Sequence, residues 1–385
     1  MKTPALITPS VMKWARETAG MSVEDVASRL TKSITPQTIE NWESGKGMPT
    51  YPQLRKIAET YRRPVIAFYF PEPPKEDSIE KRFRTLPKAE AEKIPPKIHF
   101  LIRRADTFRL NLHELHEEQN PIASKIFSDI PISPSLDMKK AAAEVRRYLN
   151  LPEAQQWKTA DKAFDARRDC LEQHGLSIFK EPFRGDDYSG FCLNDRQFPV
   201  IYINNSMSKS RQSFTLFHEL GHILMKTGGV DFRDYRNNKD TAEEVACNQF
   251  AGEVLVPEDE IKKYLPAGKV FDDKVIESLA ERYKVSRDVI LRKLLDLDLI
   301  NRRFFNQKTS QFQQQWADFK KSQKSGPVRY ASLIYSYRSK NYTQAAYLQY
   351  CRDLIDRYQF ADYLKVKMRH VDSIAKLALR DIRMD

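Results

Sequence analysis

The fold of this chain is decided by residues 213–222, which read Ser-Phe-Thr-Leu-Phe-His-Glu-Leu-Gly-His. On a helix, His218 and His222 stand four residues apart, so both imidazoles project from one face. Glu219 is rotated by about 100° from His218, so its carboxylate reaches a water on a shared metal without ligating that metal. The apolar residues before His218 would bury such a helix. The stretch therefore predicts a metal centre with a general base; two surface histidines on an ordinary helix are the alternative.

A second predicted helix, over residues 241–251, supplies a third ligand. Glu244 and Asn248 are four residues apart and share a face, so we expect Glu244 to ligate the metal and Asn248 to hydrogen-bond a ligand histidine. Glu243 is the alternative ligand, but its partner one turn later is Cys247, which would orient nothing comparable. Catalytic zinc usually takes three protein ligands and a water, and two histidines with one glutamate are a recurrent set. The expected cofactor is therefore Zn²⁺.

Together, these segments resemble the ImmA/IrrE metallopeptidases. The resemblance rests on residues 214–222 and 244–257 and extends upstream through 190–193 and 199–204, so it covers about residues 160–260. Members of that family are zinc endopeptidases of bacteria and their mobile elements, and characterised ones cleave a repressor protein. The resemblance implies an α+β, zincin-like domain with a small sheet, and a protein substrate.

Carried over position by position, the resemblance implies zinc on His218, His222 and Glu244, with Glu219 as the catalytic base. The sequence departs from the family at Cys247, where alanine is usual. A fourth thiolate ligand and a small core residue are both compatible with this position. We expect the small core residue, because buried cysteine commonly behaves as a small apolar side chain.

Two short strands are predicted upstream, over 190–193 and 198–204, joined by a hairpin turn at 194–197. An exposed strand edge there would hold an extended peptide by strand addition; a sheet that only supports the metal helix is the equal alternative. The group that stabilises the oxyanion is not readable from the sequence. Three tyrosines are candidates by proximity in sequence only, and each also suits packing: Tyr188, Tyr202 and Tyr235.

The N-terminal region carries a separate pattern. Ser22 caps a run of apolar residues at helical spacing, and Thr35 with Pro36 begins a second short helix. Two short helices at this separation predict a helix-turn-helix. With the later helix at 54–58, the segment resembles the Cro/C1 repressor class over roughly residues 10–70. The resemblance implies an all-α DNA-binding domain.

In such a domain the second helix lies in the major groove. We expect base contacts from Gln37, Thr38 and Asn41, and phosphate contacts from Lys32, Lys46 and Thr50. Two features depart from the usual pattern: the turn before Thr35 is about two residues longer, and Glu40 places a negative charge near the DNA. Residues 1–71 carry ten Lys/Arg against six Asp/Glu, a net of only +4. A helix-turn-helix that serves protein contacts is therefore the alternative.

Composition favours a multidomain, mainly α-helical intracellular protein. A chain of 385 residues suggests two to four domains. Its four cysteines lack metal or redox spacing, which favours reduced thiols in the cytoplasm. No signal region is evident, and the longest apolar run, residues 64–70, is too short to span a bilayer, so no membrane contact is expected. We expect a helix-turn-helix domain at 1–72, a helical linker region at 73–150, the metallopeptidase domain at 151–262 and a helical, basic region at 263–385.

The C-terminal part is unusually basic. Residues 301–385 contain seventeen Lys/Arg, seven acidic residues and no glutamate, a net of +10. Aromatic residues are interleaved with these charges. We expect a basic helical domain with aromatic core residues; contact with nucleic acid or with an acidic protein is the alternative. A helix pair before it, at 275–280 and 285–294, is expected to pack against the peptidase.

These features predict a DNA-binding zinc endopeptidase that cleaves a repressor or antitoxin-like protein and so controls transcription. The alternative is a regulator or antitoxin whose metal domain senses or scaffolds without proteolysis. The intact Glu219 favours the enzyme, because a site that only binds metal would not need the base. A palindromic operator would require a homodimer.

Overall fold

The computed structural model is mainly helical with one small sheet, and this confirms the predicted fold class. It divides into two compact units, residues 1–104 and 105–385. Within the described part of the chain, no helix has both the length and the apolar character that crossing a membrane requires. The described residues are 3–76, 94–183, 188–227, 230–232, 241–266, 268, 270–322 and 329–382.

The first unit is a small helical domain whose helix ends match the sequence signals. The Ser22 side chain accepts the backbone N–H of Asp25, and the Thr35 side chain accepts that of Thr38, so both predicted caps are confirmed. Pro36 is the first residue of its helix, as predicted. The helices are α1 (Pro9–Glu17), α2 (Val23–Arg29), α3 (Pro36–Glu43) and α4 (Tyr51–Tyr61), followed by a 3₁₀ helix (Val65–Tyr69).

The long turn between α2 and α3 is held in place because one of its side chains is buried. Ile34 is only 3 % exposed, and its backbone N–H donates to the carbonyl of Thr31. The extra residues therefore contribute an apolar side chain to the same core that buries Ile39 and Trp42 of α3. This core fixes α3 against the rest of the unit and leaves its opposite face exposed.

The second unit contains the sheet and the remaining helices. Helix α5 (Pro96–Leu115) begins in the first unit and ends in the second. The further helices are α6 (Ile126–Asp129), α7 (Met138–Tyr148), α8 (Ala160–Gln173), α9 (Lys209–Leu224), α10 (Ala242–Leu255), α11 (Glu258–Ile261), α12 (Asp273–Tyr283), α13 (Arg287–Asp296), α14 (Arg302–Ser322), α15 (Tyr330–Tyr337), α16 (Lys340–Cys351), α17 (Arg357–Leu364) and α18 (Val371–Ile382). Three 3₁₀ helices lie at Ala154–Gln156, Lys262–Tyr264 and Met368–His370.

The sheet has the strand order β1-β3-β2-β4, with β1 at Ser177–Glu181, β2 at Tyr188–Leu193, β3 at Val200–Asn204 and β4 at Val230–Phe232. Strand β1 runs parallel to β3, whereas β2 runs antiparallel to both β3 and β4. The predicted hairpin is β2 and β3. Its strands are interior, so the alternative in which this hairpin offers an exposed edge is wrong; among the described strands, the edges are β1 and β4.

Both faces of the sheet are covered, and this explains why every residue of β1, β2 and β3 is buried. Residues alternate between the faces along each strand. Ile178, Ile201 and Ile203 join the core formed with α9. The opposite face is aromatic: the Phe179 ring stacks at 4.5 Å on Phe108 of α5 and meets a tyrosine of α16 edge-on at 5.4 Å.

The C-terminal helices are fastened to edge strand β1. Arg338, just after α15, is 2 % exposed and donates to Oε1 of Glu181 at 3.3 Å and to the carbonyl of Leu364 at 3.0 Å. Arg168 of α8 donates to the carbonyls of Ser336 and of Arg338 itself. The basic region is therefore helical, as predicted, and it is built into the same unit as the sheet.

The helix pair α12 and α13 also joins this unit. Leu279 of α12 and Leu291 and Leu294 of α13 belong to the core that contains α9 and α10. Helix α13 packs directly on α10. The prediction that this pair packs against the peptidase-like domain is therefore confirmed.

Candidate functional site

Two packed helices deliver the predicted metal ligands. Helix α9 begins at the Ser208 cap, and its residues from Gln212 to Leu224 are all buried. Helix α10 begins at the Thr241 cap, whose side chain accepts the backbone N–H of Glu244. Because α9 and α10 pack side by side, the first turn of α10 lies against the end of α9 that carries the two histidines.

The three side chains meet at one point. The Nε2 atoms of His218 and His222 are 3.1 Å apart. Nε2 of His218 lies 3.4 Å from Oε2 of Glu244, and Nε2 of His222 lies 3.2 Å from Oε1. Within the described residues, these three form the group of metal-ligating side chains, and Glu243 is not part of it.

This spacing fits a divalent ion. Tetrahedral zinc with bonds of about 2.0–2.2 Å holds neighbouring ligand atoms roughly 3.3–3.5 Å apart. The observed separations of 3.1 to 3.4 Å are close to that range. Two imidazole nitrogens and a carboxylate are also the donor types that zinc prefers. His218, His222 and Glu244 are therefore the residues that would hold the ion.

Thr227 is the partner of one of the two histidines. Nδ1 of His222 lies 3.0 Å from Oγ1 of Thr227, and that oxygen lies 3.4 Å from the His222 carbonyl. In the tautomer that a metal ligand requires, Nε2 keeps its lone pair, so Nδ1 would donate to this hydroxyl. The sequence contains only a weak signal for the contact between Thr227 and His222, because Thr227 is a single hydroxyl residue in the turn that ends α9.

Asn248 does not have the contact predicted for it. No hydrogen bond joins Asn248 to either histidine in the described structure, and its buried Oδ1 atom has no hydrogen-bond partner there. For His222 the expected role is corrected for a geometric reason, because its Nδ1 atom is paired with Thr227 at the end of α9, whereas Asn248 lies one turn beyond Glu244 in α10.

The surroundings of Glu244 shift the pKa of its carboxyl group. Burial raises its pKa, but the hydrogen bonds and charges of His218 and His222 lower it by more, so the net pKa lies well below the usual range of a glutamate. The group is therefore ionised at neutral pH, which is the state that ligates a cation.

Glu219 lies between α9 and the sheet. It is completely buried, and a Cβ on Gly190 of β2 would stand 3.6 Å from its Oε1 atom. The same Cβ would stand 2.6 Å from Cγ2 of Thr215 and 2.9 Å from the carbonyl oxygen of Tyr202. Only glycine lets β2 approach α9 so closely, so Gly190 allows the tight packing beside the predicted base.

Cys247 packs where a small residue is needed. It is fully buried, and a Cβ on Gly221 would lie only 3.1 Å from its sulfur. Its Sγ atom is 4.0 Å from the sulfur of Met225. Because it stands outside the metal-ligating group of the described residues, the structure favours the core role that we expected over a fourth thiolate.

The structure distinguishes among the three tyrosines that were candidates for stabilising the oxyanion. Tyr202 is fully buried in β3, and its ring stacks on Phe191 at 5.2 Å with an interplanar angle of 2°. Tyr188 is buried in β2. Tyr235 lies outside the described residues. Stacking inside the sheet accounts for Tyr202 as a packing residue.

The expected DNA contacts lie on or near the exposed face of α3. Gln37, Lys32 and Lys46 are exposed, whereas Thr38, Asn41 and Thr50 are partly exposed. Nε2 of Gln37 is 3.5 Å from Oδ1 of Asn41, so these two amides stand side by side. The hydroxyls of Thr38 and Thr50 already bond within the chain, to Thr35 and Gln53 respectively.

A bidentate ion pair holds α3 against α1. Nε and Nη2 of Arg16 donate to the two carboxylate oxygens of Glu43 at 2.8 and 2.9 Å. The bond to Glu43 is the largest cause that raises the pKa of Arg16, against the lowering effect of burial. This pair was not predicted from the sequence, because it joins residues 27 positions apart.

Comparison with known families identifies both units. Residues 12–68 match the family model described as a helix-turn-helix, which defines a DNA-binding domain. Residues 171–295 match that of the IrrE N-terminal-like domain of peptidase family M78. The resemblance to ImmA/IrrE proteins with a Cro/C1-type domain is thus confirmed, and the chain is a DNA-binding regulator with a metallopeptidase-like domain. A search of curated proteins finds no match to the chain.

Proposed function

We propose that this chain is a DNA-binding, zinc-dependent endopeptidase that cleaves a repressor or antitoxin-like protein and thereby controls transcription in a bacterial or mobile-element system. The observation that carries this proposal is the meeting of His218, His222 and Glu244 within 3.4 Å, with Glu219 on the same helix as the histidines. Two histidines and a glutamate with an open fourth position are typical of zinc peptidases.

Each residue of the proposed site would have its own part in the reaction. Bound zinc would supply Lewis acidity, polarising the scissile carbonyl and lowering the pKa of a water to about 7. Glu219 would take a proton from the attacking water and pass it to the nitrogen of the leaving amine. Thr227 would orient the ring of His222 through its Nδ1 atom. Burial of Glu219 limits proton exchange with bulk water.

The sheet suggests where an extended substrate would lie. Strands β2 and β3 are interior, and the C-terminal helices pack on β1. We therefore assign strand addition by the substrate to the outer side of β4, which pairs with the strand that carries Gly190. A Cβ on Gly190 would stand 3.6 Å from Oε1 of Glu219, so a peptide paired with β4 would lie two strands along the sheet from β2 and the predicted base.

The helix-turn-helix would bring the peptidase to DNA. A shared operator would raise the local concentration of protease around a DNA-bound repressor. A DNA target also implies a cytoplasmic location in a bacterium, and a palindromic operator implies a homodimer. Gln37 and Asn41 are the base readers that we propose, because their amides lie adjacent on the exposed face of α3.

Substitution of Glu219 by Gln tests the enzyme directly. Wild-type and Glu219→Gln proteins are expressed in the host, metal content is measured by mass spectrometry, and new protein N-termini are mapped by peptide sequencing. We expect equal zinc in both proteins and new N-termini in a repressor or antitoxin-like protein only with the wild type. The loss of activity arises because the amide cannot accept the proton.

Glu243→Gln is the matched control, since it removes a neighbouring carboxylate that is outside the metal group. It should cleave like the wild type. If Glu219→Gln leaves the N-termini and the transcriptional response unchanged, the chain acts as a metal-dependent sensor or scaffold, and the peptidase proposal is wrong.

A further inference from the structure

The C-terminal helices carry an exposed cluster of cations around an aromatic pair. Tyr330, at the start of α15, is 41 % exposed, and its ring centroid lies 4.3 Å from that of His370. Nε of Arg369 donates to Nε2 of His370 at 3.1 Å. Arg329 precedes the tyrosine and Lys367 precedes the 3₁₀ turn, and both side chains are exposed.

The basic-aromatic cluster is defined as Arg329, Tyr330, Lys367, Arg369 and His370. The elements that carry these residues are held in place by packing. Helix α15 packs against α18, and the 3₁₀ turn that carries Arg369 and His370 packs against α17 and α18. Val371, which follows the turn, is fully buried. Two segments that are distant in sequence are thus held together, so the cluster is a feature of the fold and not of one flexible segment.

The charge of the cluster is not balanced internally. Among the described residues, no carboxylate lies within ion-pair distance of Arg329, Lys367 or Arg369. The nearest acidic residues in sequence are already engaged: Asp372 accepts from Arg357 at 2.9 Å and Asp362 accepts from Lys365 at 3.0 Å. Three cations without a carboxylate partner in the described structure, beside one exposed and one half-buried ring, suit a polyanion that also offers flat apolar surfaces.

We propose that the basic-aromatic cluster binds single-stranded nucleic acid. The three cations would contact successive phosphates, and the Tyr330–His370 pair would stack on an unpaired base. An acidic protein would satisfy the cations but would leave the rings without a stacking partner. Duplex DNA keeps its bases stacked inside the helix, so the rings favour a single strand.

Binding of a fluorescent (dT)20 oligonucleotide, measured by anisotropy on the full chain, tests this site. The probe has no major groove, so the helix-turn-helix cannot read it. We expect R329A/K367A/R369A to weaken binding by at least about tenfold, and the slope of log K against log salt to fall by about 2, since each phosphate contact on a single strand contributes roughly 0.7. Tyr330→Ala should weaken binding about tenfold, and Tyr330→Phe should restore it.

The matched control is R302A/R303A/R352A, which removes the same charge from other exposed positions of the C-terminal region. It should lower affinity much less. Equal effects of the two triple variants would mean diffuse attraction and would overturn the site. No binding of (dT)20, with cluster-dependent binding of polyglutamate instead, would overturn it in favour of an acidic protein. Both outcomes leave the peptidase test with Glu219→Gln unaffected.

Discussion

Helix α9 carries the predicted metal-ligating histidines and helix α3 carries the expected base contacts, and the two helices are packed in opposite ways. Helix α9 is buried on all sides from Gln212 to Leu224, including both histidines and Glu219. Helix α3 fully buries only Ile39 and Trp42, and its other six residues are exposed or partly exposed. A buried helix has its side-chain positions fixed by the core, whereas an exposed helix has only its axis fixed.

This difference decides what each helix is able to do. A metal centre needs ligand atoms held within a few tenths of an ångström, which tight packing and hydrogen bonds such as that of Thr227 provide. A DNA-reading face needs side chains that are free to approach bases. Substitutions in α9 should therefore cost metal binding or folding, whereas substitutions on the exposed face of α3 should cost DNA binding alone.

The largest effect is expected when a metal ligand is removed. His222→Ala deletes one of three ligands and should abolish binding of one zinc per chain, as measured by calorimetry and mass spectrometry. Zinc should raise the melting temperature of the wild type and leave that of the variant unchanged. His116→Ala is the control, since His116 lies outside the metal group. A variant that still binds zinc stoichiometrically would contradict the site.

A buried charge should make the stability of the second unit depend on pH. Burial, with the nearby charges of Arg168 and Lys209, lowers the pKa of Lys180 to about 6 from 10.5. Between these values the unfolded chain binds a proton that the folded chain does not, so this lysine opposes folding at pH 7 and less so as pH rises.

Lys180→Met should therefore be more stable than the wild type at pH 7, and its advantage should shrink by up to about 1.4 kcal/mol per pH unit towards pH 9. Urea midpoints at the two pH values measure this change. The exposed Lys162→Met should show no such trend. A constant difference between wild type and Lys180→Met would show that Lys180 stays charged in the folded protein.

The close approach of β2 to α9 predicts a packing defect. Gly190→Ala forces a methyl group against Thr215 and the Tyr202 carbonyl, and should lower the free energy of unfolding by about 1–3 kcal/mol. Gly252→Ala is the matched control, because its Cβ would meet nothing within 4 Å inside α10. That change should be neutral or stabilising by roughly 0.5–1 kcal/mol. Equal stabilities of the two variants would refute the tight contact.

The smallest expected change tests the exposed helix. Gln37→Ala should weaken binding to DNA selected by the wild type by about 1 kcal/mol, roughly fivefold. Its melting temperature should stay unchanged, since the side chain is exposed. Thr60→Ala on α4 serves as the control. If Gln37→Ala lowers stability but not DNA affinity, the contrast between the two helices fails.

Patterns among residues close together in the sequence were sufficient to predict several features of the structure. The spacing of His218 and His222 and the caps at Ser22 and Thr35 are short-range signals, and the structure shows the expected helices at each. Contacts between distant segments could not be predicted. Thr227 replaced Asn248 as the partner of a ligand histidine, because the rotation of α10 against α9 decides that bond. Strand order likewise depends on β4, which the sequence analysis did not predict.

The hydrogen bonds of Arg338 to Glu181 and Leu364 also have a consequence for where the chain can be truncated. The match to the peptidase family ends at residue 295, and a chain stopped there would lose Arg338 as the partner of Glu181 and would uncover the aromatic face of the sheet on which Tyr342 packs. An exposed apolar face of this kind favours aggregation. A fragment cut at that border is therefore expected to be poorly soluble, because the last ninety residues belong to the same compact unit as the metallopeptidase-like domain.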